Sequence, residues 1–367
     1  MSERPFQIEE ITHQFGLDGV YAGYSRIDNG HINNTYVLHF EQGGDCRDYL
    51  LQQINTHVFR NPDELMENII GVTSYLREQI ERAGGDTQRE TLTVYRTVNG
   101  KPYYRDEGNR CWRIYNFISN AYTCQSITDP VVFYNAARAF GNFQCRLADY
   151  PSASLHETIP NFHNTVSRFQ DLLSAIEADG KGRAALVQKE IAFAKAREAD
   201  CHVLLDLVAK GELPLRVTHN DTKLNNVMFD NETKQGICVI DLDTVMPGLS
   251  LYDFGDSIRF GANTAAEDEK DLSRVSLDLE LFEQYVKGYL SAAGESLTKA
   301  EIDYLAFSAK LMTFECGIRF LTDYLNGDTY FKISYPEHNL DRCHTQFALV
   351  ADIERKLDQM REIVARA

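Results

Sequence analysis

The hydrophobic period of this chain changes once, near residue 120, and that change limits its fold more than any other feature. From about residue 20 to 118, short runs alternate apolar with polar residues: TYVLHF, DYLLQQI, TLTVYRTV and CWRIYNFI. Period two is the pattern of half-buried strands. Turn residues separate the runs, among them Asp28-Asn29-Gly30 and Asn99-Gly100. One helix interrupts them, opened by Asn61-Pro62-Asp63 and carried through ELMENIIGVTSYLREQIERAG to the glycines at 84 and 85. Beyond residue 120 the period is helical, in DPVVFYNAARAFGNFQCRLADY, KGRAALVQKEIAFAKAREADCHVLLDLVAKG and DLELFEQYVKGYLSAAG. Thr298 and Glu301 form a capping box for EIDYLAFSAKLMTFECGIRFLTDYLNG, and a last helix is expected over about 343–366. The expectation is an α+β chain of two lobes. A small antiparallel sheet with one helix covers 1–118, and a larger, mostly α-helical lobe covers 119–367. The connector is RIYNFISN, and the cleft between the lobes is the expected ligand site.

Composition narrows the partners. The 367 residues are 43% hydrophobic and 25% charged, as in an ordinary globular protein. A formal charge of −17, from 54 acidic and 37 basic residues, argues against nucleic acid or an anionic membrane surface as partner. The eight cysteines never form CxxC and mostly adjoin apolar residues, so they are expected to be reduced core thiols. MSERPFQIEE has neither the basic nor the apolar region of a secretion signal, and no run of 18 apolar residues occurs. A cytoplasmic protein is expected, with a monomer favoured.

Residues 216–230 read RVTHNDTKLNNVMFD, which puts His219, Asp221, Lys223 and Asn226 into eight positions ahead of an apolar run. A solvated loop is the simplest reading of such a stretch. Val227-Met228-Phe229, the turn-rich DNETKQG and Ile237-Cys238-Val239-Ile240 predict a hairpin that makes Asn226 and Asp241 neighbours. An amide oxygen beside a carboxylate suits Mg2+, which takes its remaining ligands from water and substrate phosphates. Asp221, on the loop entering the hairpin, can accept a proton from a substrate hydroxyl. Lys223 can neutralise charge on a phosphoryl group in transfer.

HNDTKLNN matches the HRDxKxxN loop of protein kinases at His219, Asp221, Lys223 and Asn226, and VIDLD supplies the downstream aspartate. The chain resembles the aminoglycoside phosphotransferase and choline kinase superfamily, the small-molecule branch of the protein-kinase-like fold. The joined motifs THNDTKLNN, IDLDTVMPG, LYDFGDSIRFGA, ECGIRFL, YPEHNL, GHINNTY and LQQIN are more similar to those of the N-acetylhexosamine 1-kinases, over nearly the whole length.

The resemblance implies ATP and Mg2+ as cofactors and a nucleotide and an N-acetylhexosamine as small-molecule partners, the sugar being phosphorylated at C1. It implies Asp221 as base, Lys223 at the γ-phosphoryl, Asn226 and Asp241 as metal ligands, and His219 as an orienting residue. Asn33, Asn34 and Thr35 would cover the phosphates, Gln52 and Gln53 would stand where kinases carry a lysine, and backbone around Tyr115, Phe117 and Ile118 would take the adenine. His31, Phe260, Arg319 and Tyr330 would border the sugar. Asp253-Phe254-Gly255 spells a kinase metal motif but does not end a returning strand, so Asp253 is expected to tie the loop to the helical lobe. Asp243 is either a second metal ligand or a solvated turn carboxylate, and Glu67 fills the place of the kinase helix glutamate. A choline, homoserine or aminoglycoside kinase stays open, as does a non-catalytic nucleotide-binding module suggested by the uncharged Gln52 and Gln53.

Overall fold

The computed structural model describes residues 7–27, 33–127 and 129–367. A short helix, α1 (Ile8–Thr12), leads into β1 (Val20–Ile27), β2 (Asn34–Gln42) and β3 (Asp45–Ile54), then α2 (Pro62–Arg82), β4 (Val94–Tyr95), β5 (Tyr104–Arg105) and β6 (Cys111–Asn116). The six strands make one antiparallel sheet in the order β1-β2-β3-β6-β4, with β5 against β6. TLTVYRTV forms only the two-residue β4, and β1 and β5 complete a sheet of six.

Local chemistry accounts for α2. The Asn61 side chain caps it by accepting from the Glu64 N–H, Pro62 stands in the first turn, and Gly84 takes the left-handed conformation beyond its end. Its Leu65, Met66, Ile69, Val72, Leu76 and Ile80 are buried, each contributing roughly 1.5–3 kcal/mol of apolar burial. Glu67 faces outward and meets His156 Nε2 at 2.7 Å, so it does not occupy the place of a kinase helix glutamate. The buried Asn68 ties α2 to the helical half instead, donating to the carbonyls of His156 (2.8 Å) and Val245 (3.1 Å).

Beyond Asn116 the chain leaves the sheet, and β7 (Ala121–Tyr122) joins a second sheet of order β10-β9-β7. Next come α3 (Pro130–Arg146), α4 (Thr165–Ala178), α5 (Gln188–Lys195) and α6 (Val203–Ala209). The stretch 181–211, read as helical in pattern, is broken by 3-10 turns at Ala184–Leu186 and Glu198–His202, because its buried positions fall in short unconnected patches. Then β8 (Arg216–Thr218) pairs with β11 (Met246–Gly248), enclosing the hairpin β9 (Val227–Asp230) and β10 (Gly236–Val239).

Helices α7 (Ser250–Gly261), α8 (Leu279–Ala293), α9 (Lys299–Asp303), α10 (Leu305–Asn326) and α11 (His338–Arg366) complete the body. The Thr298 and Glu301 box is present, yet it caps only the five-residue α9, because the chain turns at Tyr304 before α10 begins. Of the cysteines, Cys111, Cys201, Cys238 and Cys343 are buried, whereas Cys46 and Cys145 are exposed, against the expectation of core thiols throughout.

Two ion pairs join the sheet half to the helical half behind the connector. Arg89 meets Asp230 at 2.9 Å, and Glu90 meets Arg146 of α3 at 2.9 Å. Among the described residues no helix is long and apolar enough to cross a membrane.

Candidate active site

The loop 219–226 is shaped by backbone hydrogen bonds to buried acceptors. Asp253, on α7, accepts from the N–H of His219 (2.9 Å) and Asn220 (2.7 Å) and from Gln144 Nε2 (2.9 Å). It thus ties the loop to the helical half, as its neighbours in sequence suggested. Gly255 lets α7 press on α10, since a Cβ there would collide with the Ser308 backbone oxygen. Asn220 takes a left-handed conformation, φ 63°, which an asparagine accepts more readily than most residues. His219 is fully buried. Its Nε2–H donates to the Ile240 oxygen at 2.8 Å and its Nδ1 accepts from the Asp221 N–H at 3.2 Å, which fixes one neutral tautomer.

The Ile240 N–H donates to the Asn226 oxygen at 2.9 Å, which extends the β9–β10 ladder and brings Asn226 beside the turn holding Asp241. Asn226 Nδ2 donates to the Asp221 backbone oxygen at 2.7 Å, so its Oδ1 stays available as a ligand. Lys223 Nζ lies 2.8 Å from Asp221 Oδ1, and Asp221 raises the lysine pKa against the partial desolvation of its half-exposed side chain. Burial raises the Asp241 carboxyl above the usual carboxylate range, and Asp243 and Asp221 add to the rise. A divalent cation held by Asn226 and Asp241 would relieve that repulsion. Among the described residues there is no cluster of three His, Cys, Asp or Glu suited to a metal, so a cation here would draw further ligands from phosphate and water.

These side chains line one wall of a cleft of about 380 Å³ between the sheet and the helical body. Asn33, Thr35, Gln52, Arg113, Tyr115, Phe117 and Ile118 line it from the other side. Asn34 and Gln53 stand on the opposite face of their strands, where they pair with each other at 3.1 Å, so Gln52 is the glutamine turned to the cleft. His31 lies outside the described residues. Asp243 is no solvated carboxylate. It is buried, 2.5 Å from the guanidinium of Arg113, and accepts from Asn33 Nδ2 at 2.6 Å. Arg113 and Asn225, whose Oδ1 is a buried acceptor without a hydrogen-bond partner among the described residues, were not foreseen.

Phe260, Arg319 and Tyr330 lie outside that cleft's lining. Phe260 lies near the end of α7 and packs on the core beneath the hairpin. The Arg319 guanidinium packs over Phe162 (5.3 Å), Phe331 (5.6 Å) and Tyr330 (5.9 Å). Glu315, one turn earlier on α10, is buried and bound to His163 Nδ1 (2.7 Å) and Thr165 (2.7 Å) instead of forming a surface pair with Arg319. His163 Nε2 lies 2.9 Å from the Asn220 oxygen. Both partners of this ring are acceptors, so it carries two protons, and Glu315 holds its affinity for them up against burial. His163 therefore connects the face of Arg319 to the loop of Asp221.

A sheet folded over a helical body, with the loop and hairpin aspartates meeting in the cleft between them, is the arrangement of the small-molecule phosphotransferases with a protein-kinase-like fold. The model of the phosphotransferase enzyme family APH matches residues 23–295, and the chain belongs to that family. Three solved structures share the fold. An aminoglycoside phosphotransferase from Alicyclobacillus acidocaldarius is 14% identical with a TM-score of 0.65, covering 100% of this chain and 98% of its own. A spectinomycin phosphotransferase solved with ADP and spectinomycin is 15% identical with a TM-score of 0.57, covering 97% and 100%. A choline kinase from Cryptosporidium parvum is 15% identical with a TM-score of 0.52, covering 94% and 92%.

Proposed function

We propose that this phosphotransferase is an ATP-dependent kinase that phosphorylates the anomeric hydroxyl of an N-acetylhexosamine, giving the sugar 1-phosphate and ADP. The observation that carries the kinase part is the meeting of Asp221, Lys223, Asn226 and Asp241 on one wall of the cleft. Asp221 takes the hydroxyl proton as the sugar oxygen bonds to the γ-phosphorus and the bond from that phosphorus to the β,γ-bridging oxygen breaks. Lys223 neutralises charge on the transferring group. Asn226 and Asp241 would hold Mg2+, which neutralises phosphate charge when bound. The backbone of Tyr115 to Ile118 takes the adenine.

The acceptor part rests on the sequence resemblance and on charge. Choline needs an open aromatic cage, and the rings of Phe162, Tyr330 and Phe331 already hold Arg319. An aminoglycoside needs carboxylates, whereas Arg168 and Arg319 lie near enough here that Arg319 adds to the burial lowering the Arg168 pKa. Glu315, the buried carboxylate one turn before Arg319 on α10, is consumed by His163. A neutral polyhydroxylated acceptor suits such a surface, with Arg319 and Tyr330 donating to hydroxyls and Phe260 facing the acetamido methyl.

The test is ATP turnover with N-acetylglucosamine, N-acetylgalactosamine, glucose, choline and kanamycin, the phosphorylated position being read by phosphorus NMR. Phosphate at C1 of an N-acetylhexosamine is the expected product. Phosphate at C6, or choline or kanamycin as the best acceptor, would refute the sugar 1-kinase reading and leave the kinase roles standing.

A further inference from the structure

Phosphoryl transfer from ATP needs a cation beside the α- and β-phosphates, and kinases supply it as a lysine on the third strand, ion-paired to a helix glutamate. Here the third strand offers Gln52, and Glu67 of α2 is turned away to His156. The charge missing from β3 stands one strand over. Gln52 is paired in register with Arg113 of β6, whose Nε and Nη2 donate to Gln52 Oε1 at 3.1 and 2.8 Å. Arg113 is 1% exposed, lies over the Tyr115 ring at 5.0 Å, and places Nη1 2.5 Å from Asp243 Oδ1. Asp243 is in turn held by Asn33 of the segment entering β2, at 2.6 Å. Asn33, Gln52 and Arg113 all line the cleft that holds Asp221, Asn226 and Asp241.

We propose that Arg113 is the phosphate-facing cation of the nucleotide site, with Asp243 as its counter-ion in place of a helix glutamate. This rests on the kinase reading above. Both members of the kinase ion pair have moved, the cation from the third strand to its neighbour and the anion from α2 to the turn after Asp241. The displacement is self-consistent, because Gln52 accepts from the guanidinium and steers it, a task a lysine at 52 could not perform. Of the charged side chains lining the cleft among the described residues, Lys223 is held by Asp221, and Arg113 is the other cation. Without it, Asp221 and Asp241 would face the phosphates, with the buried Asp243 unpaired behind them and Lys223 alone to offset the charge.

The experiment measures binding of MgATP and of adenosine by calorimetry on the parent, Arg113→Met, Arg113→Met with Asp243→Asn, and Arg113→Met with Gln52→Lys. The neutral double variant guards against unfolding caused by an unpaired buried aspartate. Both arginine-less variants with Gln52 intact should bind MgATP about 10- to 100-fold more weakly and adenosine as the parent does, since only phosphates lose a charged partner. Gln52→Lys should recover most of the loss by returning the cation to β3. Parent-like MgATP affinity in both of these variants, or equal losses for adenosine and MgATP, overturns the inference and leaves the kinase reading untouched. A parent that binds no MgATP overturns both.

Discussion

Asn226 and Asp221 hold each other: the asparagine amide donates to the aspartate backbone oxygen at 2.7 Å and approaches its carboxylate at 3.3 Å. The proposed base and the proposed metal ligand are therefore one mechanical unit, yet their chemistry separates. Asp221→Asn keeps the shape and removes the proton acceptor, so turnover should fall by about 10²- to 10⁴-fold while MgATP affinity changes little. Turnover within tenfold of the parent, in a coupled assay of ADP release, would take the base role from Asp221.

Asp253 is buried and Asp241 half-buried near the loop, with opposite consequences expected on removal. Asp241→Ala should abolish the Mg2+ dependence of nucleotide binding and leave folding largely intact, because it relieves crowding among carboxylates. Asp253→Ala strands the N–H groups of His219 and Asn220 and should cost about 2–4 kcal/mol of stability. Calorimetric titration with and without Mg2+, together with urea melts, distinguishes the two; the reverse pattern would assign the metal to Asp253.

The acceptor end should respond to Arg319 and Phe260 differently. Arg319→Ala removes a planar donor stacked among three rings and should cost about 2–4 kcal/mol in kcat/KM for the sugar, with KM for ATP nearly constant. Phe260→Ala should narrow the preference for N-acetylglucosamine over glucose by roughly 1–3 kcal/mol, since the acetamido group alone loses a wall. Equal losses on both sugars would argue that Phe260 serves only packing.

The His163–Glu315 pair should give stability a two-sided pH dependence. The His163 pKa is raised above 6.5 in the folded state, so its contribution is fully present below pH 6.5 and lost as pH rises through the raised value. The Glu315 pKa is lowered beneath 4.5, so its contribution is present above pH 4.5 and lost as pH falls through the lowered value. The excess stability of the parent over the doubly neutral His163→Gln, Glu315→Gln variant should peak between those limits and shrink on either side. A difference flat from pH 4 to 9 in chemical denaturation would show that the pair titrates alike in both states.

Residues carrying local signals were legible in the sequence. The Asn61 cap, the Thr298 and Glu301 box and the β9–β10 hairpin each follow from a few adjacent side chains, and the hairpin brought Asn226 beside Asp241. Helix α7 was not legible, because Gly255 and Gly261 interrupt a helical reading of its twelve residues and Asp253-Phe254-Gly255 spells a kinase metal motif instead. Arg113 was missed for a different reason. A lone arginine in an alternating strand reads as a solvent-facing residue, and only the β3–β6 register and the distant Asp243 reveal that it points into the cleft.

The ion pairs behind the connector, Arg89 with Asp230 and Arg146 with Glu90, bear on how the cleft could change width. With the sheet half fastened there to both β9 and α3, a change of width that keeps all four charges paired is confined to the opposite edge.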